Sequence, residues 1–182
     1  MRKQFTAIFS AFFLCVILCP AQTPATSAMS ASDPWQPLKF LTGTWEAKTE
    51  AGTAEAQVTG AYSFDFELKN HVLARHSSSA SCKAPSDFNC EHSDLLYLYL
   101  EGPASDPKIK AIYLDSEGHV IHYDVTTPTP TSAVLLSDPA NPGPQFRLVY
   151  ERKDAILSGK FQMRISGQTD FKSYLEWSGG KK

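Results

Sequence analysis

The sequence contains five histidines, the side chains best able to bind a metal, hold haem or move protons. Strand geometry limits what they can do together. Side chains alternate between the faces of a strand, so His119 and His122 point to opposite sides, as do His71 and His76. Neither pair chelates an ion locally. A zinc site would have to draw on separate strands, for example His76, His92 and His119, and the sequence lacks the usual zinc spacings. No metal is expected. Alternation also places His119, Ile121, Tyr123 and Val125 on one apolar, inward face, with His122 and Asp124 toward water, and this makes His119 the stronger pocket histidine.

Nucleophilic catalysis finds little support. There is no Gly-x-Ser-x-Gly elbow and no phosphate-cradling glycine loop, and Ser77 to Ser81 reads as a polar strand end. Paired carboxylates occur as Asp65 with Glu67, on the solvated side of a strand, and as Asp115 with Glu117, in a turn whose residue preferences account for them. No catalytic residue is assigned. What remains is a set of polar groups set among apolar ones: Arg75, His76, His92, Tyr97, Tyr99, Tyr113, His119 and Tyr123. An apolar cavity with a few hydrogen-bonding groups is the usual form of a small-molecule site. If Arg75 faces inward with Leu73, its charge must be paired with a carboxylate of the protein or with an acidic ligand. The competing reading puts Arg75 and His76 on outer or rim positions and lets the tyrosines fill a core.

The elements that would position these residues read as strands. About ten short extended segments are separated by turn chemistry: 43–50, 54–67, 71–81, 93–101, 108–114, 119–126, 132–137, 145–151, 155–165 and 170–178. In the second, Val58, Gly60, Tyr62, Phe64 and Phe66 fall on one face. The fourth, with Leu95-Leu96-Tyr97-Leu98-Tyr99-Leu100, is apolar on both faces and predicts a strand covered on both sides. Asp115-Ser116-Glu117-Gly118 predicts a hairpin turn, and Pro128 with Pro130 a break. One helical turn is expected at 35–41, capped by Asp33 with Pro34 at its first position. Sequential hairpins leave exposed edges unless the sheet closes, so the expected fold is all-β: a closed antiparallel up-and-down barrel of about ten strands. Trp45, Tyr62, Phe64, Tyr113, Tyr123, Phe146, Leu148, Phe161, Met163 and Leu175 should line its interior.

Composition and the termini set the context. With 182 residues, 42% hydrophobic and 20% charged, the chain is one globular domain, and collagenous, coiled-coil and multi-domain readings are excluded. A net charge of -2 without a basic run gives no nucleic-acid surface. Arg2 and Lys3, an apolar run from Phe5 to Cys19, and Pro20-Ala21 predict a signal peptide over 1–21, and an exported protein, periplasmic or secreted, with no stable membrane span after cleavage. Residues 22–34 then form a disordered tether, 35–178 the barrel and 179–182 a flexible tail. Loss of Arg2 and Lys3 makes the mature charge -4. Cys82 and Cys90 are the pair left in an oxidising compartment and are expected to be bonded.

Phe40-Leu41-Thr42-Gly43-Thr44-Trp45-Glu46, opening the first strand after a helical turn, resembles the Gly-x-Trp start of lipocalin-like (calycin) barrels. With ten strands, the segments Val72-Leu73-Ala74-Arg75, Ile112-Tyr113-Leu114-Asp115 and Phe146-Arg147-Leu148-Val149-Tyr150 look most like the nitrobindin-like branch and related uncharacterised secreted proteins of the DUF1579 type. The resemblance implies a structural, barrel-closing role for Trp45. It also implies haem held by a histidine on a late strand, whereas this sequence has no histidine after His122, so haem would need a different one. The leading expectation is an exported barrel binding a small hydrophobic or amphipathic molecule non-catalytically and without a cofactor. The alternatives are a hydrolase or isomerase with His119 or His92 as general base, and a haem-binding barrel with another histidine ligand.

Overall fold

The computed structural model describes residues 33–50, 55–138 and 143–182. The expected signal peptide, nearly all of the expected tether and the links 51–54 and 139–142 lie outside them. A short 3₁₀ helix, Gln36–Leu41, leads into ten strands: β1 (Gly43–Thr49), β2 (Gln57–Glu67), β3 (Val72–Lys83), β4 (Asp94–Glu101), β5 (Lys108–Asp115), β6 (Val120–Thr129), β7 (Ser132–Ser137), β8 (Gln145–Lys153), β9 (Ile156–Arg164) and β10 (Lys172–Gly180). Every strand pairs antiparallel with its sequence neighbours, and β1 pairs with β10 to close the barrel. Closure removes the open edges that a meander would present.

Local sequence explains the joints. Gly118 adopts φ +87° in the β5–β6 turn, where its N–H donates to the Asp115 carbonyl at 3.1 Å. At Gly179 a Cβ would lie 1.9 Å from the Glu46 carbonyl oxygen, so β10 can approach β1 this closely only because the residue is glycine. Asp33 Oδ1 accepts the Trp35 N–H at 3.0 Å, but the helix starts one residue later than expected, with Pro37 rather than Pro34 in its first turn.

The apolar core gathers at one end, where Leu38 and Leu41 of the helix pack with Trp45, Phe64, Leu73, Leu98 and Leu157. Trp45 is buried there and donates its indole N–H to the Leu41 carbonyl at 2.7 Å, fastening the helix across the barrel end. The exterior is polar, with ion pairs such as Lys160–Glu176, Lys110–Asp124 and His76–Glu67 on outward rows. No helix among the described residues is long and apolar enough to cross a membrane.

Three expectations need correction. Strand β4 is covered only from inside: Leu96 and Leu98 are buried while Leu95 is exposed, because the outer face of a single closed sheet meets water. Pro128 lies within β6, which accommodates it through an irregularity between Thr126 and Thr129. Residues 179–182 are not a free tail, since Gly179 and Gly180 belong to β10, Lys181 bridges to Trp45, and the Lys182 N–H donates to the Thr44 carbonyl at 2.9 Å.

Candidate functional site

At the end opposite the helix the barrel is hollow. A cavity of about 740 Å³ opens between the β3–β4 loop, the β5–β6 turn and the ends of β9 and β10. Its walls are mainly aromatic and aliphatic, with Trp177, Phe161, Phe146, Leu148, Ile121 and Tyr174 among them. Gly159 makes one wall possible. A Cβ on it would sit 2.3 Å from the Trp177 indole, so the missing side chain lets the ring lie over β9 and face inward. Trp177 meets Tyr62 and Tyr150 edge to face, with centroids 6.5 and 6.1 Å away, and the two tyrosines are tilted to each other at 40°.

The polar floor is built on Arg75. Leu73, Arg75 and Ser77 share the inward row of β3, and Asp94 opens the inward row of β4 ahead of Leu96 and Leu98. Arg75 is buried; its Nη2 lies 2.6 Å from Asp94 Oδ1 and its Nη1 donates to the Tyr150 hydroxyl at 2.7 Å. Ser77 donates to the same Asp94 oxygen at 2.8 Å. The inward Arg75 therefore has its carboxylate within the protein. Burial pushes the Asp94 carboxyl up, but Arg75 and the Ser77 hydroxyl outweigh it and hold the group below the usual carboxylate range. Burial raises Tyr62, Tyr113, Tyr123 and Tyr150, so all four are neutral phenols at neutral pH. Arg75 Nε and the Tyr123 hydroxyl are buried without hydrogen-bond partners among the described residues.

A second polar group occupies the rim. His92, partly buried, shares a 3.0 Å hydrogen bond between Nε2 and the Tyr113 hydroxyl, and its Nδ1 lies 3.4 Å from Glu117 Oε1. Asp94 Oδ2 is 4.0 Å from His92 Nε2. The Cys82–Cys90 disulfide closes the β3–β4 loop beside this rim, and Asn89 Nδ2 in that loop donates to Glu117 at 3.0 Å. Loop and turn are thereby tied across the mouth.

The sequence candidates separate by face. Arg75, His92 and Tyr113 line the cavity, and Tyr123 is buried on an inward row but lies away from the cavity wall. His76, Tyr97 and Tyr99 do not belong to the pocket: their parity on β3 and β4 is opposite to that of Arg75 and Leu96, so they stand on the outer face, where His76 meets Glu67 at 2.8 Å and the Tyr97 ring edge-on. His119 touches only the rim, 59% exposed, with Nδ1 at 2.8 Å from Asp115 Oδ2. The alternation that placed it inward fails because β6 begins at Val120 and His119 still belongs to the turn. Asp94, Ser77, Tyr150 and Trp177 complete the site and were not singled out. Strand parity puts them on inward rows, each two residues from an inward apolar or Arg75 neighbour.

Among the described residues no three His, Cys, Asp or Glu side chains converge to hold a metal ion. For haem, the cavity-facing positions of β9 and β10 are Phe161, Met163, Tyr174, Leu175 and Trp177, and His92 and His119 are each engaged with a carboxylate at the rim. This donor set lacks the late-strand histidine that the family resemblance calls for. A closed ten-stranded antiparallel barrel fits a lipocalin-like fold. No protein-family model and no curated protein matches the chain.

Proposed function

We propose that this is an exported lipocalin-like barrel protein that holds a small hydrophobic or amphipathic molecule in its interior without converting it. The supporting observation is the aromatic-walled cavity of about 740 Å³, within the size range of small-molecule sites, over a floor with few polar groups. The signal-like N-terminal sequence and the Cys82–Cys90 bond support export. The Gly43-x-Trp45 opening supports kinship with the nitrobindin-like and DUF1579-type secreted barrels. Titration with the neutral dye Nile red tests the binding: saturable fluorescence enhancement, one dye per chain, is expected, and Met163→Trp, which fills the cavity wall, should abolish it. Enhancement that never saturates, or that Met163→Trp leaves unchanged, would refute the reading.

One observation favours a second reading. His92 sits in the cavity wall between Tyr113 and Glu117 with Asp94 nearby, an arrangement that suits a general base in a hydrolase or isomerase. Turnover of an aryl ester that is lost in His92→Ala with the fold intact would favour that reading over simple binding. Haemin addition separates the third possibility, since a barrel of the proposed kind leaves the Soret band unchanged.

A further inference from the structure

The electrostatics of the cavity point to the chemical class of its occupant. Its wall and rim carry four carboxylates, Glu91, Asp94, Asp115 and Glu117, against one guanidinium, Arg75, and among the described residues no lysine. Its carboxylates thus outnumber its guanidinium by three. The single cation does not offset this for a ligand. Arg75 is buried in the floor, with Nη2 against Asp94 and Nη1 against Tyr150, so its charge is already matched by a carboxylate of the protein.

Asp94 presents an open face to the cavity. Its Oδ1 takes both the Ser77 hydroxyl and the Arg75 contact, while its Oδ2 accepts no hydrogen bond among the described residues and has His92 Nε2 no closer than 4.0 Å. An acceptor oxygen in an otherwise apolar chamber recognises a hydrogen-bond donor, and an ionised one favours a cationic donor. The remaining wall suits the same head group, since Trp177, Phe161 and Phe146 offer aromatic faces that attract cations as well as apolar bodies. Resting on the ligand-binding reading above, we infer that the natural occupant is an amphipathic organic amine, its ammonium at Asp94 Oδ2 and its apolar body against Trp177 and Phe161.

Three probes sharing one apolar body test this: pyrenylmethylamine, pyrenylmethanol and pyrenylacetate, each titrated against the full mature protein and read by pyrene fluorescence. The amine should bind at least about tenfold tighter than the acetate, with the alcohol between, and the gap should narrow as salt is raised. Binding of the alcohol with the amine no tighter than the acetate overturns the amine assignment and leaves the binding reading standing. Failure of all three to bind overturns both. The variant Glu91→Gln/Glu117→Gln, altered only at the mouth, should lower the amine-to-acetate ratio, and an unchanged ratio overturns the electrostatic basis of the preference.

Discussion

Arg75 and Asp94 are the residues whose chemistry most constrains this barrel. A buried guanidinium is tolerated because Asp94 and Tyr150 receive it, and removal of one partner leaves an uncompensated charge in a low-dielectric interior. Asp94→Asn should therefore cost about 3 kcal/mol in a denaturant titration, whereas Glu67→Gln, on the exposed His76 pair, should cost less than about 0.5 kcal/mol. Asp94 also sets an acid limit. Its folded pKa lies below its unfolded value, so its stabilisation is present above about pH 4 and is lost as pH falls through the folded value. Alkali acts through the tyrosines with the opposite sign. Tyr62, Tyr113, Tyr123 and Tyr150 have raised folded values, so above about pH 10 the unfolded chain loses protons that the folded chain keeps, and stability should fall steeply there. Absorbance titration should show these phenols ionising together with unfolding. At Gly159, alanine would meet the Trp177 ring at 2.3 Å, so Gly159→Ala should turn the indole and shift tryptophan emission.

At the scale of elements, the stapled β3–β4 loop and the β1–β10 seam are the points where the barrel is held. The disulfide spans eight positions and stabilises by about 2.5 kcal/mol on the chain-entropy estimate. Reduction should lower the denaturation midpoint accordingly, and it should weaken Nile red binding beyond that loss, because the clamped loop carries Asn89 and His92 to the rim. A stability loss without any change in dye affinity would separate the loop from the site. The elements themselves were legible in the sequence: β7 occurs at the expected 132–137, and the other strands fall within a few residues, because alternation and turn residues mark both ends. What was not legible was the side of β4 that meets water, since Leu95, Tyr97 and Tyr99 are as apolar as their inward neighbours. His119 was misplaced for a related reason. Parity counts only from where a strand begins, and the Asp115 cap holds His119 in the turn.

For the whole molecule, the division between a packed end and a hollow end governs function. The helix and Trp45 fill one end with Leu38, Leu41, Phe64 and Leu73, while the other end keeps large rings at the wall and little at the centre. Composition shows that aromatic residues are abundant and alternation shows that many point inward, but neither tells whether facing rings meet. That depends on barrel diameter and on small residues such as Gly60, Ala61 and Gly159, which only the three-dimensional pairing relates to their neighbours. The site was half legible on the same grounds: Arg75 announced the need for a carboxylate, and strand pairing was required to identify Asp94 as the one. The most direct test is a crystal structure of the protein grown with a brominated apolar probe, located by its anomalous signal. Bromine inside the barrel beside Trp177 and Phe161 is the predicted result. A barrel filled solid by its own side chains, with bromine only on the outer surface, would contradict the account.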